Sequence, residues 1–166
     1  MLVRGTGMRT VIIYYSRSGR TQRLAEDVQA RFGCGIERIV TQKDFSGFMG
    51  FLRIAREAKK EHPFEIQTFR IDPDQLDLVV VGTPIWGGNV STPVRDILAR
   101  YKGHLRAVAF LATYGSSDPG PAFKAMEEAC GRPPVATLGV SNRRLRSNAY
   151  SEDLERFIEA VRKAQG

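Results

Sequence analysis

Residues 11–21 read VIIYYSRSGRT. Val11 to Tyr15 is an apolar, β-prone run, and from Thr21 onward Leu24, Val28 and Phe32 recur at helical spacing. The hexapeptide SRSGRT, residues 16–21, therefore falls where a strand turns into a helix. Three hydroxyls (Ser16, Ser18, Thr21) and the flexible Gly19 stand at that turn, so backbone N–H groups, side-chain O–H groups and the helix dipole converge on one point. Such a point stabilises an anion, and the stretch reads as a phosphate cradle.

The same alternation runs along the rest of the chain. Further strands are expected at Ile36 to Val40, Leu78 to Gly82, Ala107 to Thr113 and Val135 to Val140. Leu78 to Val81 and Val108 to Ala112 are continuously apolar, as central strands covered on both faces must be. Ile36 to Val40 is broken by Glu37 and Arg38 and reads as an edge strand. Helical periodicity marks Phe51, Ile54, Ala55 and Ala58, then Val94, Ile97, Leu98 and Tyr101. It returns at Phe123, Met126 and Cys130, and at Leu154, Phe157, Ile158 and Val161. Thr92 before Pro93 reads as an N-cap followed by a first-turn proline, and Ser151 with Glu152 and Asp153 starts the last helix in a similar way.

Strands alternating with helices imply an α/β three-layer sandwich, with helices on both faces of a five-stranded parallel sheet. Right-handed crossovers commonly give the order 2-1-3-4-5, whose crevice lies beyond the carboxyl ends of strands 1, 3 and 4. Those ends lead into SRSGRT, TPIWGGN (83–89) and TYGSSDPG (113–120). All three loops are rich in Gly, Ser or Thr, and two carry a large aromatic residue, Trp86 and Tyr114. A flat aromatic ligand with a phosphate on a flexible arm would engage all three. The plainer reading makes Trp86 a core aromatic and the glycines simple turn residues.

On SRSGRT, VVVGTPIWGG (79–88) and FLATYGSS (110–117), the chain resembles the flavodoxin-like FMN-binding family, in its short-chain form. The resemblance spans Met8 to Lys163. It implies FMN as cofactor, with Ser16, Arg17, Ser18, Gly19, Arg20 and Thr21 around the phosphate. One side of the isoalloxazine would be held by Thr83, Pro84, Ile85, Trp86 and Gly87, the other by Thr113, Tyr114, Gly115 and Ser116. The implied role is electron transfer through the flavin, exchanged with a redox partner protein or a small acceptor such as a quinone, with no catalytic acid or base and no metal. The family also implies a peptide flip at Gly87 or Gly88 that would present a carbonyl to flavin N5. An alternative on the same fold is an NAD(P)H-dependent FMN or quinone reductase; a third reading is a non-redox module for another phosphorylated ligand.

Two features depart from the pattern. Arg17 and Arg20 place cations at variable positions of the phosphate loop, either contacting the anion or pointing to solvent. The chain is also basic, with 25 Lys plus Arg against 18 Asp plus Glu, a formal charge of +7, where flavodoxins proper resemble one another in being acidic. The basic residues are interleaved with acids and not arranged as an aromatic-punctuated stripe, which argues against a nucleic-acid surface. Arg143, Arg144 and Arg146 form the one local cluster, read as a solvated loop with a docking patch as the alternative.

The 166 residues suit one domain, expected over 8–166 behind a disordered leader at 1–7. No run of about 18 apolar residues suggests a membrane span. Cys34 and Cys130 lack ligand spacing and read as packed, reduced thiols, which with the missing signal-peptide pattern points to a cytoplasmic protein. His62 and His104 read as surface residues. The aromatic run DFSGFMGF (44–51) reads as packing under a crossover, with a flap over the flavin or a homodimer contact as alternatives.

Overall fold

The computed structural model describes residues 8–41 and 71–166. The leader, the aromatic run, the helix expected around Phe51 to Ala58, and His62 lie outside the described residues. Within them the elements run β1 (Thr10–Tyr14), α1 (Arg20–Phe32), β2 (Gly35–Arg38), β3 (Leu78–Trp86), β4 (Asn89–Val90) and α2 (Thr92–Arg100). They continue as β5 (Val108–Tyr114), α3 (Gly120–Cys130), β6 (Thr137–Ser141), α4 (Asn142–Ser147) and α5 (Ser151–Lys163).

The sheet has the order β2-β1-β3-β5-β6, all parallel, with β4 attached only to β3 as the antiparallel arm of a hairpin. With that short arm set aside, this is the expected 2-1-3-4-5 arrangement. Alternate residues of each central strand feed opposite cores. Ile13, Val81 and Phe110 face α2 and α3, where Val94, Ile97, Leu98 and Met126 meet them. Ile12, Val80 and Leu111 face α1 and α5, packing on Leu24, Val28, Phe157 and Val161. Both faces are dry, so the strands had to be apolar throughout.

Three local differences from expectation have physical causes. Strand β3 runs on to Trp86, because the two-residue turn Gly87-Gly88, with φ of 55° and 80°, folds β4 back onto it. Two successive positive φ values suit the right-handed twist of a hairpin, and glycine adopts them without strain. Helix α2 takes Ser91, not Thr92, as its N-cap residue, with no side-chain capping bond. Instead the Ser91 hydroxyl is committed to Thr83 at 2.9 Å. Finally, the expected loop at Ser141 to Ser147 is largely helix: Ser141 Oγ accepts from Arg144 N–H, Leu145 is buried, and Asn148 closes the turn at φ 55°. Among the described residues no helix is long and apolar enough to cross a membrane.

Candidate functional site

The carboxyl ends of β1, β3 and β5 converge at the point where the strand order reverses, and the three loops meet there. Loop one is built on Ser16, only 2% exposed, whose Oγ accepts the N–H of Gly19 at 3.1 Å. Gly19 then takes φ 84° at the N-cap of α1, a conformation costly for any residue with a Cβ. With the turn fixed in this way, Arg17, Ser18, Arg20 and Thr21 line a cleft of about 130 Å³.

Loops one and three are tied together. Thr21 and Thr113, 1% and 3% exposed, share a hydroxyl–hydroxyl hydrogen bond of 2.8 Å across 92 residues of sequence. Beneath Thr21 lies Gly82 of β3, where an added Cβ would stand 3.0 Å from Tyr14 Cβ and 3.3 Å from Thr21 Cγ2. The first turn of α1 sits this close to the sheet because residue 82 has no side chain.

The second loop is pinned from behind. Thr83 is fully buried, and its Oγ1 bonds Ser91 Oγ, accepts Ser91 N–H at 3.1 Å and donates to the Pro84 carbonyl at 2.8 Å. Pro84, Ile85 and Trp86 then line the cleft. The Trp86 ring stands nearly perpendicular to Tyr15, centroids 5.4 Å apart, and packs on the apolar core as well. Trp86 therefore joins a place on the cleft wall to a contact with the core. From loop three come Thr113, Tyr114 and Gly115. Tyr114 approaches Gly139 of β6, where an added Cβ would lie 3.3 Å from the ring carbon Cε1.

Among the expected site residues, Ser16, Gly19 and Thr83 shape the loops without lining the cleft, and Gly87 and Ser116 are exposed outside its wall. One wall residue was missed: Asn142, the first residue of α4. Its signal was its place directly after the last strand, at the same carboxyl edge of the sheet as the other three loops. A larger groove of about 400 Å³ runs along β6 and α5. It lies away from the three loops, and its charged walls are occupied with each other, Asp153 pairing with both Arg144 and Arg156.

Solved structures of similar fold include the flavoprotein of Lactobacillus acidophilus NCFM in complex with FMN, with a TM-score of 0.70 at 20% identity over 89% of this chain and 99% of that one. An NADH:FMN oxidoreductase in its apo form is similar at 0.59 and 17% identity, over 95% and 90% of the two chains. The two-electron-reduced flavodoxin of Megasphaera elsdenii is similar at 0.53 and 19% identity, over 93% and 98%. The fold is flavodoxin-like. No protein-family model matches the chain, and no curated protein matches it in sequence.

The flavodoxin-like scaffold leaves both cysteines as free, packed thiols. Burial pushes Cys34 up to about 11 and raises Cys130 as well. Neither lines the cleft, so the cleft carries no thiolate nucleophile. His104 is exposed and bonds the Asp74 carboxylate at 3.0 Å, also outside the cleft.

Proposed function

We propose that the protein binds FMN in the three-loop cleft and acts in electron transfer, exchanging electrons with a redox partner protein or a small acceptor such as a quinone. The observation that carries this reading is that two chemically different groups of residues line one cleft. Arg17 and Ser18, just before a 13-residue helix, and Arg20, its first residue, form one group, and Trp86 and Tyr114 from the other two loops form the second. A phosphate suits the first group through charge-assisted hydrogen bonds, and a flat ring suits the second.

Gly115 supplies the test of fit. A Cβ built there meets no described atom within 4 Å and its φ is not positive, so neither packing nor backbone conformation within the protein demands a glycine. The open space lies on the cleft wall, where a side chain would intrude on an occupant. When bound, FMN supplies one- and two-electron chemistry through its isoalloxazine ring. The protein's part is to hold the phosphate at loop one, bracket the ring between loops two and three, and exclude water on the buried side.

Titrating the purified protein with FMN and following flavin fluorescence tests the reading. Quenching to a one-to-one end point is expected, and Gly115→Leu should weaken binding at least about tenfold by filling the wall. Failure of the wild-type chain to quench FMN would refute it. Anaerobic NADPH then separates a carrier from an NAD(P)H-dependent FMN or quinone reductase: rapid bleaching of the flavin without a partner protein marks the reductase.

A further inference from the structure

Loop one is held from a residue outside its own motif. Arg38 is the last residue of β2 and stands opposite Tyr14 of β1 in the parallel register. Its Nη2 donates to the carbonyl of Ser16 at 2.9 Å, reaching across 22 residues of sequence. That carbonyl opens the turn on which Ser18, Gly19 and Arg20 are arranged. On the cleft side Arg20 Nη1 donates to Ser18 Oγ at 3.3 Å, and Arg17 lines the same wall.

Three arginines thus belong to or bond this loop: Arg17 and Arg20 within it and Arg38 through the Ser16 carbonyl. Among the described residues none of the three forms an ion pair with a carboxylate. Mutual repulsion would spread such a group unless something holds it, and the backbone carbonyl of Ser16 holds one member. The Arg38 charge is felt locally: it opposes the burial that raises the Tyr14 phenol. Arginine at this position is fitted to the task, because its planar fork can bond a carbonyl with one N–H while others remain for the loop or solvent.

We infer that Arg38 is a positioning residue that fixes loop one through the Ser16 carbonyl, holds Arg17 and Arg20 toward the cleft, and thereby makes the site selective for phosphorylated over unphosphorylated flavin. This rests on the flavin reading given above. Selectivity follows from the two groups of residues that line the cleft: riboflavin presents the same ring to Trp86 and Tyr114 but brings no charge to loop one. A change at Arg38 should therefore act on one ligand and spare the other. A purely structural role would weaken both together.

The experiment compares FMN and riboflavin binding by fluorescence titration of the full chain, in low and high salt, for wild type, Arg38→Met and Arg38→Lys. Wild type is expected to prefer FMN, and salt is expected to narrow that preference. Arg38→Met should lose about tenfold in FMN affinity while riboflavin affinity stays within about twofold. Arg38→Lys keeps the charge with a less directional donor and should lose only about threefold for FMN. If Arg38→Met does not fold, the lysine variant carries the same comparison. Equal losses for the two flavins, or none for FMN, would overturn the inference. Binding of neither flavin by the wild-type chain would instead overturn the reading of the cleft itself.

Discussion

The hydroxyl pair between Thr21 and Thr113 joins two cleft loops through a single buried hydrogen bond of 2.8 Å, and its worth can be isolated by a cycle. Replacing Thr113 by serine keeps the hydroxyl and removes one methyl group, a loss of about 0.8 kcal/mol. Replacing it by alanine removes the hydroxyl as well and leaves that of Thr21 unpaired in a site only 1% exposed. The serine-to-alanine step should then cost about 1–3 kcal/mol, the penalty for orphaning a buried polar group. For a chain of 166 residues that corresponds to a fall of about 2–12 °C in Tm. In a Thr21→Ala background the partner is already gone, so the same serine-to-alanine step should cost nothing or become favourable. Thermal and urea unfolding of the flavin-free protein, followed by circular dichroism, gives all the values needed. An equal cost in both backgrounds, within about 0.5 kcal/mol, would show that the two threonines do not act as a pair.

Other expectations follow from equally local features. Gly82→Ala drives a methyl to 3.0 Å from Tyr14 Cβ and 3.3 Å from Thr21 Cγ2, and overpacking of this kind should lower stability by about 1–3 kcal/mol in urea unfolding. Asp153 is held below its ordinary value of 3.8 by hydrogen bonds from Arg144 and Arg156. A depressed folded-state value adds stability above the unfolded value and loses it as pH falls through the folded one, so wild type should exceed Asp153→Asn near neutrality, with the gap starting to close below about pH 4 and closing once pH falls past the folded-state value. Urea midpoints against pH would expose a gap that fails to close. With Cys34 at about 11 against an ordinary 9.0, its thiolate fraction at pH 8 is about a hundredfold lower, so reaction with a disulfide reagent should be slow in the native protein and fast in urea. Rapid native labelling at position 34 would contradict that environment.

The sheet was legible because each central strand is covered twice. A run such as Val79, Val80, Val81 has no polar side to disguise it, and the turn residues after it stand out against it. What escaped was structure set by tertiary contacts and turn geometry that leave no period in the sequence. Helix α4 buries one side chain, Leu145, too few to produce a period, and depends on Arg144 reaching Asp153 and Arg23 reaching Asn148. Strand β4 has two residues and exists because of the turn before it. Thr83 was expected at the ligand, yet its hydroxyl turns inward to Ser91, a partner that is fixed only when the hairpin closes. Arg38 was visible as a charge interrupting an edge strand. Its contact with Ser16 required the β1–β2 register, which no spacing in the sequence reveals.

That register also changes the meaning of the basic composition. A formal charge of +7 says only that cations exceed anions over the whole chain. In the folded protein four of the acids pair elsewhere: Asp77 with Arg9 and Arg106, Asp153 with Arg144 and Arg156, Glu155 with Arg31, and Asp74 with His104. The arginines of loop one and Arg38 share none of these carboxylates. Arg17 and Arg20 on the cleft wall, with no carboxylate paired to them among the described residues, would attract an anion entering the cleft. The approach of an anionic ligand should therefore slow as ionic strength rises, and Arg17→Gln with Arg20→Gln should remove most of that dependence. Stopped-flow binding of FMN across a salt series measures it, and a salt slope unchanged in the double variant would place the field elsewhere.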